Sequence, residues 1–179
     1  MQNLKVSIII LTYNQDVYLS RAIQSALSQT YENIEILISN NGSSDDTTNI
    51  VQSFLPNQKI TYLNYPENES VNLRANQAID LASGDFISWL YGDDYYLDEK
   101  IQTQMHAFNS LDKSYGVVYG PGYIYNVSGG KKVISSSLTY SGHCLEKFLA
   151  RWVKDGTINP ISPLVRRDCY KYHRPDNAI

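Results

Sequence analysis

Ala82-Ser83-Gly84-Asp85-Phe86-Ile87-Ser88-Trp89-Leu90-Tyr91-Gly92-Asp93-Asp94 decides how the fold is read. Phe86 to Leu90 is an apolar run of strand length that leads straight into a glycine turn and two adjacent carboxylates. In an open α/β sheet, ligands bind just outside the carboxyl ends of the strands. A carboxylate pair placed there can hold a hard cation, and that cation can hold phosphates. The bland alternative is an Asp-Asp that caps the next helix and favours its dipole, a role that Asp98 and Glu99 also suit.

Upstream, the same punctuation recurs. Val6 to Leu11 is a β-branched run of buried-strand type, ending at the polar turn Thr12-Tyr13-Asn14-Gln15. Ile34 to Ser39 is a second strand, closed by Asn40-Asn41-Gly42-Ser43-Ser44-Asp45-Asp46, and Lys59 to Asn64 is a third. Four apolar sets fall at helical spacing: Leu19, Ala22, Ile23, Ala26 and Leu27; Ile50, Val51, Phe54 and Leu55; Ala75, Ala78, Ile79 and Ala82; Leu97, Ile101, Met105 and Phe108. Strand–helix alternation at this spacing predicts an α/β fold with a mostly parallel sheet, right-handed crossovers and flanking helices. If the strands are parallel, the three polar turns share one sheet edge and can face one ligand.

Past residue 112 the pattern changes. Short strands are expected at Gly116–Tyr119, Gly122–Val127 and Lys132–Ser136, with a Ser128-Gly129-Gly130 hairpin turn between the last two. A helical patch over Cys144–Val153 and a strand over Pro160–Arg166 follow. No repeat, low-complexity tract or linker intervenes. The expectation is a single domain over 1–179, with a ligand-binding half to residue 112 and a smaller mixed part over 113–179.

Composition narrows the classes. A chain of 179 residues that is 42% hydrophobic and 18% charged suits a domain with its own core, and excludes a disordered or membrane composition. The net charge of −3 gives no global argument for nucleic acid or an anionic membrane. Fifteen tyrosines suit an ordinary core and sheet before they argue for a polar or sugar-binding cleft. Cys144 and Cys169 form no C-x-x-C pair, which is simplest in a reducing compartment, and His106, His143 and His173 lack metal-ligand spacing. The longest apolar run is too short to span a bilayer and no signal peptide precedes it. The expectation is a soluble, cytoplasmic protein with no integral membrane segment, compatible with peripheral membrane association. The first turn lacks G-x-G-x-x-G, and no G-x-x-x-x-G-K-[ST] occurs, so the dinucleotide-oxidoreductase and phosphate-loop readings lose their main signals.

Four motifs together carry a resemblance. Val6-Ser7-Ile8-Ile9-Ile10-Leu11-Thr12-Tyr13-Asn14, Glu35 to Asp45, Glu67-Asn68 with Leu73-Arg74-Ala75-Asn76-Gln77-Ala78, and Gly84-Asp85-Phe86-Ile87 leading to Tyr91-Gly92-Asp93-Asp94 resemble, in order and spacing, the family 2 glycosyltransferases of the GT-A fold. The resemblance covers residues 4 to 120 well and Gly156 to Asp176 more loosely. It implies transfer of a sugar from a nucleotide-diphosphate sugar, a UDP-sugar in the first instance, to a saccharide or other acceptor hydroxyl, with inversion and a divalent cation (Mn²⁺ or Mg²⁺). Carried over by position, Thr12, Tyr13 and Asn14 would line the nucleotide-base pocket, and Arg74 would sit near the phosphates. Asp93 would be the metal ligand, with Asp94 beside it.

Two departures stand out. Asn40 occupies the place where the family usually has an aspartate that contacts the base; its carbonyl could still accept from a uracil N–H. Tyr91 replaces the first aspartate of Asp-x-Asp, so one carboxylate is missing; it is either a nucleotide contact or a strand-end aromatic. Inversion also needs a carboxylate base to take the acceptor's proton. In the family this comes from an acidic motif downstream of the segment that Pro163-Leu164-Val165-Arg166-Arg167 resembles. Asp176 is the nearest candidate here, and a turn role suits it as well. The expectation is a truncated chain or a shortened homologue that binds donor and transfers weakly or not at all. The rival readings are a non-catalytic nucleotide-sugar-binding module and a nucleotidyltransferase, though the latter's Gly-rich basic loop is absent.

Overall fold

The computed structural model describes residues 4–120, 123–126, 131–134 and 162–171. The first element, β1 (Val6–Thr12), buries all seven of its side chains, as its unbroken apolar run requires of a central strand. There follow α1 (Asp16–Leu27), β2 (Ile34–Asn41), α2 (Thr47–Phe54), β3 (Ile60–Tyr65), α3 (Val71–Leu81), β4 (Phe86–Tyr91) and α4 (Lys100–Asn109). Then come β5 (Val117–Val118), β6 (Tyr123–Asn126), β7 (Lys131–Ile134), β8 (Leu164–Arg166) and a 3-10 helix over Arg167–Lys171. Among the described residues the main sheet has six strands in the order β3-β2-β1-β4-β8-β5, and β6 and β7 form a separate antiparallel pair. β1 pairs in parallel with both β2 and β4, and β2 pairs in parallel with β3. This is the α/β architecture that the alternation predicts.

Strand alternation divides the core between two faces. Val6, Ile8 and Ile10 of β1 and Ile34, Ile36 and Ile38 of β2 pack with Phe86 and Leu90 against Leu19, Ala22, Ile23 and Ala26 of α1, Val51 of α2, and Ile101, Met105 and Phe108 of α4. The other face carries Ile9, Leu11, Leu37 and Ile87, covered by Ala75, Ala78 and Ile79 of α3. The small alanines let α3 approach the sheet closely.

Three local differences from the sequence expectation have physical reasons. Leu97 is exposed and precedes α4, because the 97–98 backbone is docked on the end of α1: its carbonyls accept from Gln29 Nε2 (2.9 Å) and Thr30 N (2.9 Å). β8 is antiparallel and lies between β4 and β5, with Phe86 opposite Arg166 and Ser88 opposite Leu164. It gives the outer edge of β4 its backbone partners, and Leu164 is fully buried. The third concerns β6 and β7, which pair as the expected hairpin but with slightly shifted ends, Asn126 opposite Lys131. The hairpin's 128–130 turn, the 144–153 patch, Cys144, His143, His173 and Asp176 lie outside the described residues.

Candidate functional site

Parallel pairing carries the polar strand ends to one edge. Thr12 stands opposite Asn40, and Leu11 stands opposite Tyr91, so the turns after β1, β2 and β4 meet at the C-terminal edge of the sheet. On the α3 face of that edge is a cleft of about 320 Å³, lined by Leu11, Thr12, Tyr13, Gln15, Ser39, Asn41, Asn68, Glu69, Val71, Arg74 and Tyr91. A larger hollow of about 910 Å³ lies beside residues 30–33, which lead into β2, and α4; none of the polar strand ends reaches it.

Two features shape this end of the sheet. The Ser39 hydroxyl, on the same strand face as Leu37, is buried beside the cleft with no hydrogen-bond partner, an arrangement that costs stability. The turn after β4 is also drawn in tightly. A side chain at Gly92 would put a Cβ 2.6 Å from Thr12 Oγ1 and 2.6 Å from Gln15 Oε1, so only glycine lets this turn rest on β1.

The sequence-derived candidates divide. Thr12, Tyr13, Arg74 and Tyr91 line the cleft together. Asn40 is 1% exposed and turned to the other face of the sheet. There its Nδ2 donates to Tyr62 Oη (3.0 Å) and Asn64 Oδ1 (3.0 Å), and its Oδ1 accepts from Ser43 N (3.1 Å). Asn14 is also occupied. It is the one described non-glycine residue with positive φ, 51°; its N–H donates to Ser43 Oγ (2.9 Å) and its Oδ1 accepts from Ser44 N (2.9 Å). It links the turns after β1 and β2 without lining the cleft. The neighbour Asn41 takes the cleft-facing place assigned to Asn40. Gln15, Ser39, Asn41, Asn68, Glu69 and Val71 line the cleft and are not among the sequence-derived candidates. Strand parity is the signal that could have found Asn41: Ile36 and Ile38 face the α1 core, so Asn40 goes with them and Asn41 opposes them.

Beyond Tyr91 the acid pair is partly open to solvent, Asp93 exposed and Asp94 half-buried. Burial, and then the charge of Asp93, push the Asp94 carboxyl above the usual carboxylate range. The Tyr91 phenol is pushed up by burial first, then by Asp94 and Asp93. Like charges held this close destabilise each other, and a cation would relieve them. Among the described residues no cluster of three or more His, Cys, Asp or Glu side chains is placed to hold a metal ion. A carboxylate pair alone could hold only an ion that takes its other oxygens from elsewhere, such as phosphate and water.

Comparison with known proteins agrees with the geometry. The model of the glycosyl transferase family 2 matches residues 7–172. An uncharacterized glycosyltransferase of Rickettsia prowazekii (strain Madrid E) is 45% identical over 114 residues, covering 64% of this chain and 35% of the relative. The Campylobacter jejuni GalNAc(5)-diNAcBac-PP-undecaprenol beta-1,3-glucosyltransferase is 34% identical over 145 residues, 80% of this chain and 44% of that protein. The chain thus spans less than half the length of either curated relative. In shape it is similar to S. aureus TarS 1-349 in complex with UDP, at a TM-score of 0.75 and 20% identity, covering 94% of this chain and 48% of that one.

Proposed function

Because the chain belongs to glycosyl transferase family 2, we propose that it binds a nucleoside-diphosphate sugar in the cleft at the ends of β1, β2 and β4 and transfers the sugar to an acceptor hydroxyl. The observation that carries this reading is the meeting of the polar ends of β1, β2 and β4 at one edge of the sheet, where Thr12, Ser39, Asn41 and Tyr91 line one cleft and the carboxylate pair follows Tyr91 in the chain. A UDP-sugar is the proposed donor, supported by the resemblance of the strand-end motifs and by the UDP complex of the similar structure. The acceptor is proposed to be a saccharide, in keeping with the lipid-diphosphate glycan in the Campylobacter relative's name.

In displacement at the anomeric carbon the diphosphate leaves with growing negative charge. Asp93 and Asp94 would hold a divalent cation, Mn²⁺ or Mg²⁺, which when bound would offset that charge. The cleft's own residues orient the donor: Thr12 and Ser39 line it at the ends of β1 and β2, and Tyr91 offers a ring and a phenol that feels the charges of Asp94 and Asp93. Holding donor and acceptor in line contributes through orientation. Inversion would need a carboxylate base, a role for which Asp176 stays the proposed candidate.

Calorimetry with UDP, with and without Mn²⁺, tests the reading. Binding is expected to strengthen with Mn²⁺, and Asp93→Ala should remove that strengthening, a change of roughly tenfold or more. Failure to bind any nucleoside diphosphate would defeat it. Tyr91 in place of a third carboxylate favours a second reading, a non-catalytic nucleotide-sugar-binding module; release of UDP from a UDP-sugar in the presence of acceptor glycans would exclude that.

A further inference from the structure

Arg74 is 6% exposed and donates through all three of its nitrogens. Its Nε–H donates to Asn41 Oδ1 (2.8 Å), one terminal nitrogen to the Glu67 carbonyl (2.7 Å) and the other to Gln77 Oε1 (3.1 Å). The guanidinium carbon lies 3.9 Å over the Tyr65 ring. Asn41 is equally committed. Its Oδ1 also accepts from Glu69 N (2.9 Å), and its Nδ2 donates to the Glu69 carbonyl (2.8 Å). Arg74 Nε–H and a backbone N–H can only donate, so the atom between them is the amide oxygen, and both its lone pairs are taken. Gly42, at φ 75°, lies against the same segment: a Cβ there would be 2.4 Å from the Glu67 carbonyl carbon.

Resting on the donor-site reading above, we propose that Arg74 and Asn41 are positioning residues, a bracket that holds segment 67–69 as one wall of the cleft, and that Arg74 does not touch the diphosphate. Three contacts fix that wall: Arg74 on the Glu67 carbonyl, Asn41 on both backbone groups of Glu69, and Gly42 beneath Glu67 and Asn68. The wall then presents Asn68 and Glu69 to the cleft, groups that accept hydrogen bonds from N–H and O–H. A carboxylate in the cleft wall suits the N–H and O–H donors of a nucleoside better than a phosphate. Lysine cannot replace arginine here, because one ammonium cannot span three separated acceptors while lying flat on a ring.

Titrations of the whole chain with uridine and with UDP, followed by NMR, separate the possibilities, together with amide hydrogen exchange in the absence of ligand. Arg74→Lys and Arg74→Met are expected to weaken uridine and UDP alike, by roughly tenfold, and to speed exchange at the Glu69 amide. Asn41→Ala should do the same, and the Asn41→Ala/Arg74→Met double variant should lose less than the sum of the two. If uridine binding is unchanged while UDP binding falls, or if Arg74→Lys keeps full affinity, Arg74 contacts the diphosphate and the proposal is overturned. Unchanged Glu69 exchange in Arg74→Lys also overturns it. A parent chain that binds neither ligand defeats the donor-site reading itself, whatever the exchange shows. Should the Arg74 variants fail to fold, Asn41→Ala carries both measurements.

Discussion

Single residues set the charge balance on each face of the sheet, and Lys100 is the clearest case. Its Nζ is buried at the start of α4, donating to Ser88 Oγ (2.9 Å) and Gln104 Oε1 (2.9 Å) and lying 4.2 Å over the Tyr96 ring. These partners are neutral, so burial pushes the ammonium down from 10.5 to about 7. The sign of the linkage follows. Between about pH 7 and 10.5 the unfolded chain binds the proton and the folded chain does not, so stability rises with pH across that window and the full penalty applies below it. Lys100→Met should flatten this rise, measured as urea unfolding free energy at pH 7 and pH 10; an unchanged pH slope would refute the assignment. At this scale the sequence is least legible. Asn40 and Asn41 are the same residue type side by side, and which of them faces the cleft depends on strand parity at the last residues of β2. Lys100 looks in sequence like a solvated residue at a helix start, since nothing local says that Gln104 and Ser88 enclose it.

Elements are tied together at the opposite end of the strands from the cleft, by Glu35 of β2. Its carboxylate accepts from Lys5 Nζ (2.7 Å), Ser7 Oγ of β1 (2.5 Å), and Ser83 N (2.6 Å) and Ser83 Oγ (2.7 Å) in the turn before β4. Burial alone would raise this carboxyl, but the hydrogen bonds from Lys5, Ser7 and Ser83 outweigh it and hold it at about 2. A depressed carboxyl contributes stability above its unfolded value, near 4.5, and that contribution is lost as pH falls through about 2. Glu35→Gln is therefore expected to cost about 1–3 kcal/mol at pH 7. The two proteins should converge in stability as the pH approaches 2, followed by thermal unfolding; a constant gap at all pH values would show a packing effect instead. The elements themselves are legible because each is written in local periodicity: continuous β-branched runs for β1 and β2, i, i+3, i+4 stripes for α1 and α3. The segment before α4 is not, because Leu97 continues the helical stripe in sequence while its backbone is claimed by Gln29 and Thr30 of the distant α1 end.

At the scale of the whole molecule, the division of the chain at residue 112 into a ligand-binding half and a smaller part meets the β8 insertion. β8 lies more than fifty residues beyond that boundary, yet it pairs with β4, the strand that carries the acid turn, and Leu164 sits in the same core cluster as Phe86 and Phe108. Gln104 of α4 reinforces the junction, its Nε2 donating to the carbonyls of Ser162 (2.7 Å) and Val118 (3.2 Å). Trp89 adds a contact on the α3 face, donating to Tyr170 Oη (2.8 Å). None of this is written locally: Pro160 to Arg166 reads as a strand, but its partner and direction are set by the unpaired edge of β4 and by long-range burial. Energetically the consequence is direct. Without residues beyond 112, β4 keeps an unpaired edge at Phe86 to Ser88 and the core loses Leu164, whose burial contributes about 1.5–3 kcal/mol. A chain ending at residue 112 should therefore melt at least about 5 °C below the 179-residue chain and associate through its exposed strand. Equal melting temperatures and a monomeric shorter chain would mean that β8 is peripheral. The opposite result would tie the stability of β4, the strand that leads to Asp93 and Asp94, to residues far from it in sequence.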